Sequence, residues 1–404
     1  MRTIAWLLGA VLAAGCGSGN GVSTGDAGND AAPASGTWVW QSDVPATGTL
    51  VAVWASGATD AWAGGDDGLL LHWDGQAWSV VDAGTTNHIA SIWGSGPSDV
   101  WAAAGGLGGP NTANLVRWNG SAWSPVDAGT TMNLKSVWGT GPNDVWAAGA
   151  SGVAGTIQHF DGSSWSNAWS SVETAPQGLF GSSSNDIWIV GAEIYPTDGD
   201  HFILHGAGGS FSDVASGVTQ YLRSGFSAGP SDAWAIGLGG LLHWNGSAWS
   251  AATSPLAAGD GGVWGLSSSF VLAASGRRIA QWNGATWTTV HDDDVGATLS
   301  GVGGADATHL WAVGDDATIF RFDTTVTGTP SCTDVRGQCG ASCAQGHVSD
   351  YACGGSSTCC VAATACGGAE PACCDGQGNP GPRAICHDGA FYCPSPATPC
   401  PQHP

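Results

Sequence analysis

Between residues 37 and 324, hydrophobic and polar positions alternate in runs of a few residues, broken by Gly, Asp, Asn and Ser. That pattern predicts short β-strands joined by tight turns. The large hydrophobics also return at fixed intervals. One stretch reads Trp93-Gly-Ser-Gly-Pro-Ser-Asp99-Val-Trp101 and then Trp118-Asn-Gly-Ser-Ala-Trp123. The next reads Trp138-Gly-Thr-Gly-Pro-Asn-Asp144-Val-Trp146 and then Phe160-Asp-Gly-Ser-Ser-Trp165. Each copy offers four aromatic slots, A to D. Slot A holds Trp54, Trp93, Trp138, Phe180, Phe226, Trp264 and Val302; slot B holds Trp62, Trp101, Trp146, Trp188, Trp234, Leu272 and Trp311. Slot C holds Trp73, Trp118, Phe160, Gly206, Trp244, Trp282 and Phe322; slot D holds Trp78, Trp123, Trp165, Phe211, Trp249 and Trp287.

The intervals decide the fold. A to B is eight residues in six copies and nine in the last, C to D is always five, and D to the next A is always fifteen. Only B to C varies, from ten to eighteen. Seven copies of about 41 residues with four strands each have the spacing of propeller blades. Asp-Gly and Asn-Gly between C and D are hairpin signals that ask for positive φ at both turn residues. The seventh copy lacks a D segment, and Thr37-Trp38-Val39-Trp40 lies about one D-to-A step before Trp54. Residues 37–42 are therefore expected to supply the outer strand of blade seven, with Trp38 and Trp40 straddling the slot. The fold class is all-β: a seven-bladed β-propeller closed by an N-terminal strand, plus a small disulfide-rich C-terminal domain. The repeat resembles bacterial Trp-rich propellers. It shares a loose layout with WD-repeat blades and with Trp-rich propeller lectins, and a lectin function is what the last resemblance implies.

The ends of the chain follow other rules. Met1-Arg2-Thr3, an apolar stretch from Ile4 to Ala14, and Gly15-Cys16 make a secretory signal too short to span a membrane. Leu12-Ala13-Ala14-Gly15-Cys16 resembles the lipobox of bacterial lipoproteins, with Ala13 where a large aliphatic residue usually stands. The resemblance implies cleavage before Cys16, lipidation of its sulfur and, with Gly17 and Ser18 following, the outer membrane. Plain secretion with a free Cys16 is the alternative. The expected domains are a signal peptide (1–15), a flexible tether (16–36), the propeller (37–328) and a cysteine-rich domain (331–404).

Twelve of the thirteen cysteines are Cys332, Cys339, Cys343, Cys353, Cys359, Cys360, Cys366, Cys373, Cys374, Cys386, Cys393 and Cys400. They form two six-cysteine halves, 332–360 and 366–400, each with one Cys-Cys pair. With Cys16 lipidated the remaining count is even, as six bridges require, and an exported chain meets oxidising conditions. Zinc is disfavoured because its usual Cys-x-x-Cys pairs are absent. The pairing among fifteen possibilities per half stays open.

Composition removes whole function classes. The net charge is −23, with Lys+Arg 9 against Asp+Glu 32, so phosphate backbones and anionic headgroups would repel the chain. Nucleic acid is excluded as a partner, and the membrane is met only through the lipid anchor. No Ser-His-Asp spacing, phosphate loop or cofactor motif occurs, and the arginine, tyrosine and glutamate inventory does not favour a sialidase-type site. The Asp-Asp turns at 66–67 and 315–316 and the run at 292–294 match no calcium loop. No catalytic residue, cofactor or metal is assigned.

Two sets of polar residues recur or stand apart. Asp60, Asp99, Asp144, Asp186 and Asp232 lie two residues before slot B; His72, Arg117, His159, His205 and His243 lie just before slot C. Because strands B and C are neighbours, each Asp should meet the His or Arg of its own blade. The expectation is a structural staple in which Asp accepts turn amides and bonds the ring. Phe270 and Gln281 lose both partners together in copy six. Trp169, in the connection from blade three to four, and Glu193 and Tyr195, in a long B–C loop, form a candidate ligand patch. A loop packed by its own aromatics is the competing reading. The function expected is a binding module for a protein or glycan partner. A carbohydrate-specific lectin is the alternative, and a propeller glycoside hydrolase or structural envelope component is more remote.

Overall fold

The computed structural model describes residues 36–105, 114–152, 154–193, 201–215, 221–292 and 297–325. It also gives the backbone of short strands at 337–340, 347–352, 358–361, 373–374, 385–387, 390–392 and 398–399. Cys16, Tyr195 and the cysteine side chains of the tail lie outside the described residues. The tail strands form one three-stranded sheet and two two-stranded ladders.

Seven four-stranded antiparallel sheets build the propeller. Blade one shows the plan: β2 (Leu50–Gly57), β3 (Asp60–Gly65), β4 (Leu70–Trp73) and β5 (Trp78–Val80), hydrogen-bonded in chain order. The innermost strands of blades two to seven are Ser91–Gly96, Leu134–Gly141, Thr174–Ser183, Leu222–Gly229, Gly261–Ser267 and Leu299–Gly304. Each touches the next, and the last touches β2, so the ring is complete. In blade seven, the strands Leu299–Gly304, Leu310–Gly314 and Ile319–Asp323 are joined by β1 (Thr37–Trp40). β1 runs antiparallel to strand Ile319–Asp323, with Trp38 opposite Phe322. That is the C–D register of Trp118 opposite Trp123. Trp38 is 2% exposed, whereas Trp40 is half-buried.

The aromatic slots hold the blades to each other. Slot B indoles pack into the C and D rings of the following blade: Trp62 on Trp118 and Trp123, Trp101 on Phe160 and Trp165, Trp188 on Trp244 and Trp249, while Trp146, facing Gly206 in slot C, meets Phe211 alone. Trp311 of blade seven packs on Trp73 and Trp78 of blade one, with centroids 5.2 and 5.1 Å apart. The D rings meet the B rings edge to face, the arrangement the ring quadrupole favours. Where the B residue is Leu272, the gap is filled by Trp38 and Phe322 in one apolar cluster.

Three expectations need correction. Trp311 stands opposite Gly303, so Gly303 and not Val302 occupies slot A of blade seven. The Asp-Gly and Asn-Gly C–D turns are four-residue loops, as the five-residue step leaves room for; only blade four, with Gly208 and Gly209, makes a two-residue turn with positive φ at both positions. Positive φ falls on Gly75, Gly120, Gly162, Gly246 and Gly284 but not on the Asp or Asn before them. Those side chains instead accept the amides two and three residues on, as Asp74 does from Gln76 and Ala77. Trp169 lies inside strand Trp165–Ser171, opposite Ile157, because that strand runs on past slot D with a bulge.

Candidate functional site

The five Asp and His/Arg pairs all form. His72 Nε2 donates to Asp60 Oδ1 at 2.7 Å, His159 to Asp144 at 2.7 Å, His205 to Asp186 at 2.8 Å, and His243 to Asp232 at 2.7 Å. Arg117 Nε donates to Asp99 at 2.7 Å. The second carboxylate oxygen takes a hydroxyl from four residues upstream where turn amides were expected: Ser56, Ser95, Thr140 and Ser182. Each imidazole stacks on its slot B indole at 3.9 to 4.2 Å, and Arg117 lies over Trp101 at 4.4 Å. Nucleophilic catalysis needs the histidine between hydroxyl and carboxylate. Here the carboxylate is in the middle, and the hydroxyl meets only that weakly basic carboxylate and not the imidazole.

Asp186 is the most enclosed of the five, at 1% exposed. It also accepts Ser227 Oγ from the next blade at 2.8 Å. Burial pushes its carboxyl up, but Ser182, Ser227 and His205 together outweigh burial and hold it below the ordinary value.

Of the ligand patch, Trp169 and the backbone of Glu193 are described, while Tyr195 and the Glu193 side chain lie outside the described residues. Trp169 is half-buried against a core cluster with Trp138 and Phe211. Glu193 ends its strand opposite Thr174.

A different site lies on the propeller axis. The innermost strands enclose a cavity of about 520 Å³. One wall is a collar of slot A rings: Trp54, Trp93, Trp138, Phe180, Phe226 and Trp264. All but Phe180 are half-exposed. The collar rings seat against glycine backbone of the next blade. A Cβ on Gly139 would stand 2.8 Å from Trp93, and one on Gly181 would stand 2.8 Å from Trp138.

The other end of the cavity is polar. Three residues before slot A, the seven blades present Val51, Ala90, Lys135, Gln177, Arg223, Gly261 and Ser300, and all seven line the cavity. In five blades this residue sits at a register shift in the innermost strand: Val51, Lys135, Gln177, Arg223 and Ser300. A bulge bends the strand and re-aims the extra side chain. His88 and Tyr221 complete the mouth. His88 Nδ1 bonds Asp66 Oδ1 at 2.9 Å, and Arg223 lies 3.4 Å from Asp260. Lys135 is the chain's one lysine. Its recorded contact is the Gly105 carbonyl at 3.4 Å, and no carboxylate among the described residues lies within ion-pair distance. Burial, then the charge of Arg223, lowers the Lys135 ammonium from its ordinary value. Burial also lowers His88 and raises the Tyr221 phenol.

No family model and no curated protein matches the chain. Solved structures do match, over the propeller. A structure of YCF48 bound to D1 peptide superposes with a TM-score of 0.53 at 16% identity, covering 70% of this chain and 96% of that one. The WD40 propeller domain of Doa1 gives 0.55 at 11%, covering 71% and 97%. A streptogramin B lyase gives 0.56 at 13%, covering 71% and 97%. At such identities the likeness is one of fold, which hosts peptide binders and a lyase alike.

The seven-bladed ring is thus common ground with these structures, and the chemistry must be read from this chain's own cavity. Sequence reading missed it on two counts. It uses the slot A aromatics only to set the number and spacing of the blades, although five of them line the cavity and are only partly buried. It also passed over the position three before slot A, which carries no repeated residue. The signal available was that Lys135 and Arg223 fall at one repeat position in a chain otherwise poor in cations.

Among the described residues no three His, Cys, Asp or Glu are arranged to hold a metal ion. The 3₁₀ turns at Asp66–Gly68 and Asp315–Ala317 are paired features of blades one and seven.

Proposed function

We infer that the chain is an envelope-anchored binding protein, held by lipid on Cys16, whose propeller takes a protein partner at the polar mouth of its central cavity. The reading rests on one observation: a repeat position that is apolar or small in four blades carries Lys135, Gln177 and Arg223 side by side in blades three to five. The opposite face, with the A–B and C–D turns, is paved with Asp and His or Arg already bonded to each other. Propellers similar in fold include one solved with a bound peptide, which supports a binding role without assigning the ligand. The likeness to a lyase leaves room for an enzyme, but the aligned Asp–His pairs lack a nucleophile's order, so binding is preferred.

A photo-crosslinking residue placed at Gln177 of the full chain, in cells, tests the reading. It should give a discrete adduct, while the same residue at Ser163, on the opposite face, gives none. Equal labelling at both places, or none at Gln177, would sink it. A second reading, a lectin, is favoured by the half-exposed collar, since indole faces stack on sugar rings. A glycan array probed with and without calcium separates the two.

A further inference from the structure

Resting on that reading, the inference concerns what the partner must present. We propose that the mouth holds a carboxylate of an acidic peptide segment between Lys135 and Arg223, with a neighbouring apolar side chain of the peptide laid against the Trp93–Trp138 side of the collar.

Four observations carry it. Lys135 and Arg223 occupy the same bulged position on strands Leu134–Gly141 and Leu222–Gly229, two blades apart, with Gln177 between them. The two cations line one cavity and act on each other electrostatically. Like charges held together in a half-buried site are unfavourable unless an anion joins them. The acidic groups at the mouth are already engaged: Asp66 with His88, and Asp260 with Arg223. Among the described residues, Lys135 is left with one long contact to a carbonyl. Below this polar ring the same cavity turns aromatic, with Trp93 and Trp138 half-exposed. A ligand complementary along the whole axis is therefore charged at one end and apolar at the next step. A peptide meets that with an acidic residue or its C-terminus beside a Leu, Phe or Trp. A cavity of about 520 Å³ also lies within the range of ligand pockets.

The net charge of −23 is not an obstacle to an acidic ligand at ordinary salt. The Debye length is about 8 Å at 0.15 M, so distant acids are screened while the half-buried pair is screened much less.

The test uses the full chain on an array of random twelve-residue peptides, each printed with a free and with an amidated C-terminus. Bound peptides should be enriched in Asp or Glu next to a large apolar residue, or should need the free C-terminus; the paired prints tell side chain from terminus. The Lys135→Gln, Arg223→Gln double variant should lose about tenfold or more in affinity, from the loss of charge-assisted bonds. Lys135→Arg, which keeps the charge, should retain binding, and all variants should melt with the parent. Bound peptides without acidic enrichment, or binding indifferent to the double variant, would overturn the carboxylate while leaving a binding protein. No peptide bound by the parent would overturn both. If the double variant fails to fold, Lys135→Gln against Lys135→Arg decides, since one lysine side chain at a strand bulge carries no core packing.

Discussion

At the residue scale, the clearest structural test is Asp186. Its carboxylate gathers two hydroxyls and an imidazole from two blades and has nowhere to find water. Removing one partner of a buried charged network strands the others, so Asp186→Ala should cost about 2–4 kcal/mol in thermal or urea unfolding. Asp232, whose blade has Ala228 where the others have a hydroxyl, should cost less. The native pKa of Asp186 lies below its ordinary value. Its contribution is therefore complete above the ordinary carboxylate range and fades as the pH falls through the native value. A melting series from pH 7 to pH 3 should show the parent losing more than Asp186→Asn; parallel curves would refute the role. The pairing itself was legible in the sequence, because period-two geometry and a shared blade end forced Asp and His together. The partner of the second oxygen was not. Nothing in a Ser four residues upstream distinguishes a hydroxyl that reaches a carboxylate from one that faces solvent.

At the element scale, the slots were legible because large rings at fixed steps leave one way to build a blade. Register failed where the ring was missing. Val302 keeps the fifteen-residue step, yet Gly303 faces Trp311, and only a side chain in the slot would have told them apart. A second tie was also invisible. Ser91 and Ser136 exchange hydrogen bonds with the backbone of Val137 and Leu179 in the following blade, seaming neighbouring innermost strands. Strand β1 offers the sharpest contrast of burial. Trp38→Ala opens a cavity beside Phe322 and Leu272 and should cost about 3–5 kcal/mol. Trp40→Ala, half-buried two residues on, should cost less than half of that, measured by urea unfolding. Equal costs would mean that β1 does not hold the register seen here. Trp169→Ala should behave like Trp40→Ala, since it too packs only partly against its cluster.

At the scale of the whole molecule, the composition of the ring and that of the tail predict two different means of stability. The ring buries a Trp, Phe or Leu between every pair of blades and contains no cysteine between residues 37 and 325. The remaining 73 or so residues after 331 have few large apolar side chains and twelve cysteines, and a chain of that length needs cross-links to stay folded. The two should therefore respond to different perturbations. Tryptophan reports on the ring alone, because every tryptophan except Trp6 lies between Trp38 and Trp311. Dithiothreitol should leave the fluorescence-detected melt of the full chain unchanged, while it opens the tail to thermolysin and leaves a resistant core ending near residue 325. A melt lowered by several degrees on reduction would mean that the tail braces the ring, for which nothing in the closed circle of innermost strands calls. An unchanged tail digest would mean that its cysteines are not bridged, and the zinc reading set aside on spacing would return as the physical account of how so small a segment holds together.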